Sequence, residues 1–96
     1  MHVLALELDV HVPASRSLKE KRAVIRPVLD GIRHRYPVAV AETHHQDKWQ
    51  RAGLGVAVVS DSADHAVTVM DDVERFVWSF PELDVVETAR RWMEMD

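Results

Sequence analysis

Two groups of side chains in this sequence have the types and spacing to do chemistry. The first is polar and of mixed charge: His11, Lys21, Glu42, His44, His45, Asp47 and Arg51. Imidazole with carboxylate suits zinc or nickel, which makes His44, His45 and Asp47 the natural place to look for a metal. Adjacent strand residues point to opposite faces, however, so one ion takes both histidines only if the turn distorts. No metal site and no cofactor is therefore expected. Lys21 is expected to pair with Glu42, as a structural bridge ahead of an anion or proton-transfer site. The second group is basic. Lys19, Arg22, Arg26 and Arg33 fall on the outer side of one helix and offer a surface to phosphate or RNA. The alternative is a solvated basic face. Trp49 and Trp78 are the candidate anchors for a partner protein.

The elements that must hold these groups follow from periodicity. Residues 2 to 12 alternate, with Leu4, Leu6, Leu8, Val10 and Val12 on one side, and Pro13 ends that strand. Ser17-Leu18-Lys19-Glu20 has the form of a capping box. The helix it opens runs to about Arg35 and buries Leu18, Ile25, Val28, Leu29, Ile32 and Tyr36. Pro27 should weaken or kink it. Lys21 falls inside its apolar sector, so it must snorkel out or find a carboxylate. Val38 to Thr43 and Arg51 to Ser60 read as two strands of a hairpin, Ala63 to Phe80 as a helix capped by Ser62, and Val85 to Met93 as a last strand with Trp92 in the core.

The order β-α-β-β-α-β predicts an α+β, ferredoxin-like domain over residues 1–96: a four-stranded antiparallel sheet in the order 4-1-3-2 with two helices on one face. The first two strands then run in parallel. Both the start of the first helix and the hairpin turn gather at one end of the sheet, where the polar group should assemble.

Composition sets the outer bounds. Ninety-six residues make one domain, and 47% hydrophobic with 29% charged residues is ordinary for a globular chain. Without cysteine there is no disulfide, thiol nucleophile or thiolate metal site. The first strand carries Glu7 and Asp9 and is neither a signal sequence nor a membrane span, so no membrane partner and a bacterial-type cytoplasmic location are expected. The net charge of -4 conceals a split. Ala14 to Tyr36 holds seven Lys/Arg against Glu20 and Asp30, a local +5, while Asp61 to Asp96 holds three Arg against ten acids, a local -7. Two neighbouring helices that neutralise each other would be the plain account.

The stretches SLKEKRAVIRPVLDGIRHRYPVAVAE and HQDKWQRAGLGVAVVS resemble those of the YlxP-like family of small bacterial proteins. The resemblance covers roughly residues 1 to 80 and implies a ferredoxin-like fold. It implies no activity and no catalytic residues. A genomic setting beside translation and ribosome-maturation genes is its only functional hint. Pro27 and the tail ARRWMEMD depart from the pattern.

Three functions are compatible with these residues. The first is a non-enzymatic binding or assembly module, a homodimer that engages a ribosomal particle or RNA through the basic helix. The expected open sheet face supports self-association, since Gly53, Gly55 and Ala57 let a second layer approach. It also lacks aromatic residues on which bases could stack. Glu7 and Asp9 would then need a rim, water, or the partner's Arg90 or Arg91. The second is a small-molecule-binding regulatory domain. The third, an acylphosphatase-type hydrolase, needs a phosphate-cradling loop and an asparagine. Pro13-Ala14-Ser15-Arg16 has no glycine, and the chain has no asparagine.

Overall fold

The alternating run at the N-terminus forms β1 (His2–His11), and its five large apolar residues lie in the core. In the computed structural model, which describes residues 1–93, there follow α1 (Leu18–Arg35), β2 (Ala39–His44), β3 (Arg51–Ser60), α2 (Ala63–Trp78) and β4 (Asp84–Met93). The last three positions of the divergent tail lie outside the described residues. The sheet order is β2-β3-β1-β4 with every neighbouring pair antiparallel, the expected ferredoxin-like arrangement.

Local chemistry explains the helix ends. Ser17 caps α1 by accepting from the Glu20 amide at 3.0 Å, and the Glu20 carboxylate accepts from the Arg16 amide, one residue upstream of the usual capping-box partner. Ser62 caps α2 in the same way, accepting from the His65 amide at 3.3 Å. α1 runs unbroken through Pro27, whose position is on the exposed side. α2 ends at Trp78, two residues before the expected Phe80.

Both helices cover one face of the sheet. Ile25, Val28 and Ile32 of α1 and Ala66, Val69, Met70, Val73 and Val77 of α2 meet the inward residues of β1 and β3. The helices touch each other at Gly31, where a Cβ would lie 2.5 Å from the Phe76 ring. Tyr36 and Phe80 pack edge-on to that ring, and the Arg35 guanidinium lies 4.7 Å over it. That contact is aromatic, and no ion pair joins the helices among the described residues. The expected mutual neutralisation of basic and acidic helices does not occur: the acids of α2 turn to β4 and to their own helix.

Two β-bulges modify the regular sheet. One lies in β2 between Glu42 and His44, the other in β4 opposite Asp9 and Val10. Each shifts the alternation of one edge strand by a residue. Everything unexpected about the surface follows from these two shifts.

Candidate functional site

Lys21 enters the core from the first turns of α1 and is wholly buried, with 0% exposure. Its ammonium donates to the carbonyl oxygens of His45 at 2.8 Å, Arg51 at 3.2 Å and Gln46 at 3.4 Å. Glu42 Oε2 faces it at 2.9 Å. Four oxygens therefore surround three protons. Glu42 Oε2 has no aligned hydrogen bond, so the attraction on that side is ionic. A buried ammonium without partners would cost several kcal/mol, roughly the desolvation of one ion; here every partner belongs to the hairpin. Lys21 thus clasps the β2–β3 turn onto the start of α1. With its protons committed and no surface exposed, the pair works as a structural bridge.

The clasp holds an unusual backbone. His45 has a φ of 60°, in the left-handed region that residues other than glycine and asparagine seldom enter. Its carbonyl receives both the Lys21 ammonium and the Lys48 amide. Immediately before it, the β2 bulge sends Thr43 and His44 to the same open face. A Cβ on Gly53 would lie 2.6 Å from the His44 Cβ, and one on Gly55 would lie 2.8 Å from the Thr43 Cγ2. Those glycines are therefore required inside the chain. The sequence argument that they exist to admit a second protein layer is corrected accordingly.

The rest of the polar group divides. Arg51 reaches across the open face to Asp9, an internal partner in place of the expected rim or neighbouring arginine. His11 stands 3.9 Å from Asp84 of β4 on the far side of β1. His44 Nδ1 contacts the Thr43 hydroxyl at 3.2 Å, and its ring centre lies 6.5 Å from that of His45. Asp47 is exposed in the turn. The turn distortion that would let both histidines reach one face is present, yet no group of three His, Cys, Asp or Glu side chains converges to hold a metal among the described residues. What the distortion does produce is a cleft of about 220 Å³ on the open face, bounded by His44, His45, Glu7, Asp9 and Glu87.

The basic stripe also divides. Lys19, Arg22 and Arg26 are exposed and form no ion pair among the described residues. Arg33 is committed: it meets Asp30 at 3.2 Å and donates to the Val40 carbonyl at 3.0 Å. The amides at the start of α1 are occupied by Ser17 and Glu20, which leaves the side chains, rather than the helix terminus, to meet an anion.

The last strand departs most from expectation. Trp92 is not core: it is 43% exposed and packs edge-on to His2. Trp78 is 63% exposed and Trp49, in the hairpin turn, 57%. Arg90 lies opposite Leu6, on the helix side, and binds Asp71 at 2.8 Å and Glu74 at 3.1 Å on α2. Burial opposes its charge, but those hydrogen bonds and charges outweigh burial and hold the guanidinium above its ordinary range. Counting by twos from Val85 would put Arg90 on the open face. The bulge reverses that parity, and no residue type in the sequence announces it.

The geometry can be set beside known proteins. The sequence model of the family described as "Protein of unknown function (DUF503)" matches residues 3–90. The chain is 38% identical over 76 residues to the "Uncharacterized protein YlxP" of Bacillus subtilis (strain 168), covering 79% of this chain and 83% of that one. Among solved structures, the de novo designed protein Foldit4 aligns with a TM-score of 0.55 at 12% identity, over 98% of this chain and 99% of that one. The solution structure of LFR1 1, designed with a ferredoxin fold, aligns with a TM-score of 0.54 at 14% identity, over 97% and 84%. Both likenesses establish the fold alone. No helix among the described residues is long and apolar enough to cross a membrane.

Proposed function

Because the chain belongs to the family described as Protein of unknown function (DUF503), we propose a role from its own surface: a non-enzymatic binding module, dimeric, that meets a polyanion such as ribosomal RNA through α1. The observation that carries this reading is a contrast among its cations. Lys21, Arg33, Arg51, Arg75 and Arg90 are each engaged by a carboxylate, whereas Lys19, Arg22 and Arg26 stand on one exposed stripe without one. Uncompensated cations along a helix attract phosphates by releasing their counterions, so binding must weaken with salt. The open sheet face is unsuited to the task, since Glu7 and Asp9 repel phosphate and no ring is there to stack on a base.

The test is a salt titration of binding to ribosomal RNA, with the wild type and a K19A/R22A/R26A variant. The reading expects a linear log–log dependence whose slope falls by about two to three units in the variant, at 0.7 to 0.9 per lost phosphate contact. Absence of binding at low salt, or equal slopes, contradicts it.

The open-face cleft supports a second reading, a small-molecule regulatory domain. At about 220 Å³ it is smaller than the roughly 300–1,000 Å³ of ordinary ligand pockets and would admit only a small metabolite. Thermal stabilisation by such a compound, lost on His44→Ala, would favour it. Hydrolysis of the acylphosphatase kind finds less support. In the loop after β1 the Ser15 amide is taken by the Val12 carbonyl and the Arg16 amide by Glu20, so these donors are not turned toward a phosphate.

A further inference from the structure

The two edges of the sheet are built differently. β2 has six residues, follows Pro37 and is broken by its bulge, which blunts it against pairing. β4 has ten residues, its bulge lies near its start, and from Glu87 to Met93 it pairs regularly with β1. Along its outer border run most of the large exposed apolar side chains: Val86 (59%), Trp92 and Met93 on the strand, Val67 and Trp78 on α2. Val67 and Trp78 share a stripe with Asp71 and Glu74, the residues that hold Arg90, so helix and strand form one continuous border. α2 runs opposite to β4, which sets Trp78 toward the Val86 end and Val67 toward the Trp92 end.

We propose that two copies of this chain pair β4 to β4, antiparallel, about a two-fold axis at Ala89, extending the four-stranded sheet across both copies. The arrangement rests on the dimeric reading above and adds its surface and register. Directly opposed residues of an antiparallel pair share a face. If the helices of both copies lie on one side, paired residue numbers must match in face, so the axis passes through a residue. Centred on Ala89, Glu87 opposes Arg91 of the second copy twice on the open face. On the helix side, Val86, with Trp78 beyond it, meets Trp92 of the second copy. Each copy supplies one half of the apolar contact at either end, as a two-fold interface requires. The neighbouring registers lose this match. An axis at Thr88 sets Trp92 against Asp84, and an axis at Arg90 sets two guanidiniums against each other.

Sedimentation or light scattering of the wild type, E87R, R91E and the E87R/R91E exchange at low salt tests the register. Glu87 and Arg91 are exposed in the single copy, so circular dichroism melts of the variants should match the wild type. The wild type should have the mass of two chains. Each single reversal should weaken self-association at least about tenfold, by setting like charges together, and the exchange should restore it. A W92S variant, which removes the apolar contact and no charge, should also dissociate. A two-chain wild type whose reversals and W92S leave the mass unchanged overturns this register and leaves the dimer standing. A wild type of one chain at high concentration overturns both.

Discussion

The two ends of the sheet order solve the same physical problem in opposite ways. An edge strand carries unpaired amides and carbonyls that invite another strand. At β2 the chain closes that invitation: a bulge disrupts the edge, two glycines absorb it, and a buried lysine fastens the adjoining turn. At β4 nothing closes it. The strand is long, exposed on both faces for most of its length, and flanked by two exposed tryptophans, with its one arginine clasp directed inward to α2. A polar group at one end of a fold is thus spent on internal order, and an apolar border at the other is left for a neighbour.

The largest expected effect falls on the closed edge. Lys21→Met leaves Glu42 and the carbonyls of His45 and Arg51 without their partner, and denaturant unfolding should lose about 3–5 kcal/mol. A loss below about 1 kcal/mol would show that the hairpin does not depend on the clasp. Next comes Gly53→Ala, which brings a Cβ to 2.6 Å from that of His44. Overpacking of this kind should cost about 1–3 kcal/mol; the same unfolding measurement on Ala89→Val, on the open edge, should change stability by about 0.5 kcal/mol or less. Arg90→Met removes two partly exposed ion pairs and should cost about 1 kcal/mol, a loss that high salt reduces in the wild type as well. Smallest is Trp78→Ser, at 63% exposure: about 0.5 kcal/mol or less in folding, with self-association weakened in the same samples.

The fold was legible because its signals are local and periodic. The alternation of residues 2 to 12, the Ser17 and Ser62 caps and the apolar stripes of both helices each name an element, and their order leaves one common architecture. The pairing of Lys21 with Glu42 was legible for the same reason: a cation in an apolar sector and a carboxylate turned inward by period two must be brought together by that topology. What was not legible sits at the bulges. One extra residue at Thr43 brings Thr43 and His44 together and explains Gly53 and Gly55; one at Val86 moves Arg90 to the helices and Arg91 to the open face. A bulge is a property of two paired strands, so a single strand's alternation cannot reveal it. Arg33 was misjudged differently: its place on the helix is as expected, but Asp30 and the Val40 carbonyl engage it.

The contrast between the two edges is most directly measured by cross-linking, since the chain has no cysteine of its own. A single Ala89→Cys at the proposed axis would face its own copy at about 4.5–5.5 Å between Cα atoms, within the span two cysteines bridge. Ala41→Cys marks the same face of the β2 edge. Under mild oxidation at micromolar concentration, the account predicts that Ala89→Cys becomes a covalent dimer and that Ala41→Cys remains a single chain. Equal cross-linking of the two variants, or preferential cross-linking at Ala41, would contradict it.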